Sequence, residues 1–177
     1  CTVNGGKSLY ADLNGDKKEE EVYIGMAYPG RISGSQLTIK DIKKDPITGY
    51  MKNINLMGLI YGDAQKNGIF DIYFSIHTGL AQEDQCLQIG LVDFDNDGIP
   101  EIIVAVGSVT GSYAYILKYT GEGEYFYKII GRIQGQYIFL VSPTKAFLAP
   151  CGSRGLCKVY IYKNGKFIQI EDCNLNY

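Results

Sequence analysis

Residues 87–106 read as two apolar, β-forming runs held apart by a short acidic loop, and few folds accommodate that combination. Leu87, Ile89 and Leu91 precede the loop, Ile102, Ile103, Val104 and Val106 follow it, and Asp93, Asp95, Asp97 and Glu101 occupy its positions 1, 3, 5 and 9. Carboxylates at that density repel one another unless a hard, oxygen-seeking cation sits among them, and calcium suits this donor set best. Gly98 supplies a left-handed turn around the ion, and Ile99 offers a backbone carbonyl. The loop opens like an EF-hand, but position 12 is Val104 where a bidentate Glu is needed, and a β-branched run stands where a helix should begin. That excludes an EF-hand and leaves an ion-binding corner between two strands, with an acidic surface hairpin that binds nothing as the plainer alternative.

The pattern Asp-x-Asp-x-Asp-Gly-x-Pro-Glu followed by apolar residues, here Asp93 to Glu101, resembles the calcium loop of the FG-GAP/VCBS repeat family, known from integrin-type β-propellers and many secreted bacterial proteins. The resemblance spans about ten residues. It implies Ca²⁺ held by Asp93, Asp95, Asp97, Glu101 and the Ile99 carbonyl. A weaker relative lies near the start, where Asp12, Asn14, Asp16 and Glu20 align with the same positions and Lys18 offers the carbonyl. It departs from the pattern twice. Lys17 replaces the Gly, at about 1 kcal/mol if that residue must be left-handed, and Asn14 brings no charge, so this loop is expected to bind more weakly or to survive as a charged turn. A third, irregular copy places Asp63, Asn67 and Asp71 at positions 1, 5 and 9 with a poor ligand, Gln65, between them. There Lys66-Asn67-Gly68 reads better as a type I′ hairpin turn.

Each acidic loop precedes a similar ladder of expected strands. After the first come residues 22–27, 36–42 and 50–57, with a turn through Asp45, Pro46, Ile47, Thr48 and Gly49. After the central one come 102–106, 112–119 and 124–130, with a turn at Thr120 to Gly123; the last third has 137–141, 158–162 and 166–170, with a turn at Asn164-Gly165. No helix is expected. The Gly-, Tyr-, Ile- and Val-rich composition agrees with an all-β chain. The expected fold is a small β-propeller or a twisted antiparallel β-sandwich of three to four divergent blade-like repeats, with residues 1–8 as a tether and 9–177 as one domain. Irregular spacing of the three loops weighs against a regular propeller. Tyr113, Tyr115, Tyr119, Tyr125, Tyr127, Tyr160 and Tyr162 alternate along these strands, which suits either a packed core or, less readily, a recognition face.

A formal charge of −2 over 177 residues gives no broad basic face for nucleic acid and no expectation of a polybasic membrane patch. No run reaches the roughly 18 apolar residues of a membrane span. The chain opens on Cys1 rather than Met, so it is read as a processed mature protein or a trimmed piece. A mature N-terminal Cys resembles a bacterial lipoprotein, with Cys1 as the lipid anchor; a trimmed end or an ordinary disulfide cysteine is the plainer alternative. Cys86, Cys151, Cys157 and Cys173 make an even number that suits two disulfides in an oxidising compartment. Three pairings are possible, of which Cys151 with Cys157 as a local clip and Cys86 with Cys173 as the long closure is preferred. A zinc site is disfavoured, because Cys-x-x-Cys is absent and His77 is the single histidine.

Nothing organises His77 into a catalytic group, and neither Glu83 with Asp84 nor Glu122 with Glu124 is more than sequence adjacency. The expectation is a non-enzymatic, calcium-stabilised extracytoplasmic module that binds a protein or glycan partner, held at the envelope through Cys1 or secreted. The alternative is a periplasmic inhibitor or immunity lipoprotein that blocks a secreted toxin or cell-wall hydrolase, presenting either residues 77–85 or the segment between Cys151 and Cys157.

Overall fold

A computed structural model of the chain describes residues 8–28, 31–68, 87–108, 111–135, 139–141, 146–151 and 156–174. Twelve described strands form three four-stranded antiparallel sheets. The first runs β1 (Ser8–Ala11), β2 (Glu20–Tyr28), β3 (Arg31–Lys44) and β4 (Met51–Asn55) in chain order. A single described helix, α1 (Met57–Lys66), follows, and the second sheet repeats the simple meander with β5 (Leu87–Val92), β6 (Glu101–Ser108), β7 (Gly111–Tyr119) and β8 (Tyr127–Gly135). The third comprises β9 (Phe139–Val141), β10 (Ala146–Cys151), β11 (Leu156–Lys163) and β12 (Lys166–Asn174). The class is all-β, and among the described residues the sheets do not close on themselves. No described helix is long and apolar enough to cross a membrane.

The two-residue period of a strand sends alternate side chains of the second sheet to opposite faces. Ile102, Val104, Tyr113, Tyr115 and Leu117 join Leu13, Val22, Leu37, Ile39 and the α1 residues Met57, Ile60 and Ala64 in one core. Ile103, Ala114, Ile116 and Ile133 face the other way, where Phe94 and the third-sheet residues Tyr160, Tyr162 and Phe167 cover them. The second sheet is thus buried on both faces. Its tyrosines are core residues: Tyr113, Tyr115 and Tyr127 are buried, and Tyr119 and Tyr125 pack on the same cluster. Two glycines allow close approach. A Cβ on Gly131 of β8 would run into the Phe167 ring, and one on Gly58 would stand 2.5 Å from the Tyr125 hydroxyl.

The helix corrects the sequence reading. Met57, Ile60 and Ala64 are its buried stripe, three and four residues apart, and the Asn55 carboxamide oxygen accepts the Met57 N–H at 3.0 Å in place of a normal cap. Lys66-Asn67-Gly68 is therefore the end of a helix and not a hairpin turn: the Asn67 N–H returns to the Asp63 carbonyl and Gly68 takes φ +67. Strand β4 correspondingly stops at Asn55, and β10 was not foreseen. Other turns match expectation, with Asn164 and Gly165 at φ +52 and +81 in the β11–β12 hairpin. Backbone register sets Cys157 opposite Cys173 and Cys151 opposite Leu156. Cys1, Cys86, Asp71, His77, Glu83 and Asp84 lie outside the described residues.

Candidate cation site: twin acidic loops

The β1–β2 and β5–β6 connections have the same construction. At position 2 an apolar residue, Leu13 or Phe94, is buried beneath the loop, and its N–H donates to the position-9 carboxylate, Glu20 Oε2 or Glu101 Oε2, at 2.8 Å in both. The position-1 carboxylate accepts backbone N–H groups of its own loop: Asp12 from Gly15 and Lys17 at 2.6 and 2.8 Å, Asp93 from Asp97 and Gly98 at 3.2 and 3.0 Å. Asp16 and Asp97 each take the N–H two residues on, from Lys18 and Ile99. Positions 4 and 6 are left-handed in both loops, at Gly15 and Lys17 (φ +82 and +67) and at Asn96 and Gly98 (φ +60 and +89). Lys17 does adopt the conformation for which glycine is the unstrained residue. The loops also touch, since Ile99 Cδ1 would lie 2.9 Å from a Cβ on Gly15. The Tyr127 hydroxyl further ties β8 to the first loop by donating to the Leu13 carbonyl at 3.2 Å.

The loops differ in what faces the second oxygen of the buried glutamate. In the central loop it is Lys118 of β7, whose Nζ donates to Asp95 Oδ2, Asp97 Oδ2 and Glu101 Oε1 at 2.7, 2.7 and 2.8 Å. Burial alone would lower the Lys118 pKa, but the three carboxylates more than offset it and hold the ammonium above its ordinary range; its bond in turn keeps the Asp97 carboxyl below the usual value. In the first loop Asn14 Nδ2 donates to Glu20 Oε1 at 3.0 Å and to the Ile42 carbonyl at 2.8 Å. One residue beyond the Glu21–Lys40 pair, as Lys118 lies one beyond the Ile102–Leu117 pair, comes Asp41, an exposed acid at φ +62 where the β3–β4 register shifts. Without a cation, burial pushes the Glu20 carboxyl up to about 7 against the Leu13 bond, and Asp16 and Asp12 push it the same way.

Three of the four central-loop acids come together as a group that could hold a metal ion. One carboxylate oxygen from each of Asp93, Asp95 and Glu101 lies within 4.8 Å of the others, the separation of oxygens across an ion bonded at roughly 2.3–2.6 Å. The Lys118 ammonium already bridges two of these three carboxylates, Asp95 and Glu101, together with Asp97. Asp12, Asn14, Asp16 and Glu20 share the loop geometry, with the Asn14 amide as a neutral donor in the corresponding place. Asp63 belongs to no such loop: it sits in α1 and pairs with Arg132 of β8 at 2.8 Å. Sequence reasoning missed Lys118. Its only local signal is a charge ending the apolar run of β7, and strand register alone brings it to the loop. No protein-family model matches the chain, and no curated protein matches it.

Proposed function

We propose that the chain is a calcium-stabilised binding module of the FG-GAP/VCBS type, acting outside the cytoplasm on a protein or glycan partner, with a binding and not a catalytic role. The observation that carries this reading is the repeated loop construction, in which a buried glutamate at position 9 closes an acidic corner from the N–H of position 2. Twice-used geometry of this kind argues for a common ligand. Asp93, Asp95, Asp97, Glu101 and the Ile99 carbonyl would hold one ion, and Asp12, Asn14, Asp16, Glu20 and the Lys18 carbonyl a second, weaker one. When bound, Ca²⁺ neutralises the corner and fixes its backbone.

Three meandering four-stranded sheets are compatible with blades of a small propeller. A mature N-terminal Cys would hold the module at the envelope through lipid. The test is thermal unfolding after chelation and after return of calcium: melting temperature rises with added Ca²⁺ by mass action, and an unchanged melting temperature overturns the reading.

A further inference from the structure

The β3–β4 hairpin ends in a turn whose polar groups are satisfied and whose apolar groups are not. The Asp45 carboxylate accepts the Ile47 and Thr48 N–H groups at 2.8 and 2.7 Å, Asp45 N–H reaches the Tyr50 carbonyl at 2.7 Å, and Gly49 at φ +72 closes the loop. This ordered tip presents Ile47, Tyr50 and Met51 at 93%, 77% and 47% exposure. Isolated exposed apolar residues are ordinary. Three within five positions, at the end of a turn fixed by hydrogen bonds, form a patch.

Behind the tip stand Lys43, Lys44 and Lys52, all exposed. Lys43 lies directly opposite Lys52 in the register, a like-charge pairing that antiparallel strands disfavour. Both ammonium groups sit over the single Phe126 ring, 4.7 and 5.1 Å from its centroid. Among the described residues no carboxylate forms an ion pair with any of the three. Nearby acids are Asp45, engaged in the turn, and Asp41, Glu122 and Glu124, all exposed. The balanced total charge conceals this basic collar.

We infer that the β3–β4 tip docks on an anionic lipid surface, Ile47, Tyr50 and Met51 entering the headgroup boundary while Lys43, Lys44 and Lys52 meet the phosphates. The order of groups favours lipid over an acidic protein. Apolar atoms lead and charges are set back along flexible stems, as an interface that is polar outside and apolar within requires. Tyrosine suits that boundary, and each nearby lysine adds attraction to anionic headgroups.

The test is co-sedimentation of the full chain carrying Cys1→Ser, which removes any lipid at that position, with phosphatidylcholine vesicles with and without phosphatidylglycerol. The chain partitions onto the anionic vesicles and not the neutral ones. Ile47→Ser/Tyr50→Ser and, separately, Lys43→Ser/Lys44→Ser each weaken partitioning by about tenfold or more, with unchanged circular dichroism melting. Equal binding to neutral vesicles, or undiminished binding by either folded variant, overturns the inference. Retention on immobilised polyglutamate with no vesicle binding also overturns it, assigning the collar to an acidic protein.

Discussion

Replacing Lys118 by Met keeps most of the side chain's volume and removes the one cation that, among the described residues, pairs with Asp95, Asp97 and Glu101. The three partners do not count equally. Glu101 is fully buried at its side chain, so stripping its counter-ion leaves an uncompensated interior charge, a change of about 3–5 kcal/mol. Asp95 and Asp97 are 27% and 42% exposed, and water screens each of those contacts to about 0.2–1 kcal/mol. In chelator, Lys118→Met is therefore expected to lose about 3–5 kcal/mol, or about 6–20 °C in melting temperature at about 2–4 °C per kcal/mol. Calcium should narrow the deficit. An ion at a hundred times its dissociation constant returns about 2.7 kcal/mol, and the variant binds it more tightly because no ammonium must be displaced. Paired urea and thermal melts, with chelator and with calcium, read both effects. Stability in chelator within about 0.5 kcal/mol of the parent, or a deficit that calcium leaves untouched, refutes the counter-ion argument.

In chelator, Glu20 imposes a pH dependence of definite sign. Its folded pKa of about 7 lies above the ordinary 4.5, so the stability it contributes is fully present below pH 4.5 and is lost as pH rises through 7. Linkage bounds the loss at about 3 kcal/mol, and urea melts from pH 4.5 to 8 should show it in the parent and not in Glu20→Gln. Lys17→Gly relieves a left-handed lysine at φ +67 and should raise stability by about 0.5–1 kcal/mol, read as a shift in urea midpoint; a loss would mean the lysine side chain carries a role of its own. Thiol titration of the unfolded, unreduced chain should find no more than one free cysteine of five. Peptide mapping then tests whether Cys157 joins Cys151 or, as the backbone register favours, Cys173.

Local features of the fold were legible where chemistry and spacing act within a few residues. Left-handed Gly98 and Lys17, the Asn164-Gly165 turn and the alternation of Tyr113, Tyr115 and Leu117 with Ala114 and Ile116 follow from rules of that range. Helix α1 was not legible, because Met57, Gly58, Leu59 and Ile60 form an apolar run with two helix-weakening glycines nearby and no capping signature. What makes it a helix is burial of Met57, Ile60 and Ala64 against the strands, together with the Asp63–Arg132 pair to β8. The spacing of the loop acids was visible in the sequence, but the lysine that balances their charge was not. Lys118 follows Glu101 by seventeen residues and reaches it only through the β6–β7 register, while the contact of Ile99 with Gly15 depends on how two sheets pack.

The proposed function rests on uptake of a divalent cation by the acidic corner between β5 and β6. A calorimetric titration of the chelator-stripped full chain with calcium, run beside Glu101→Gln, tests it most directly. Saturable binding that the substitution weakens by an order of magnitude or more is expected; the absence of binding heat at millimolar calcium, or identical isotherms for the two proteins, would rule the cation site out.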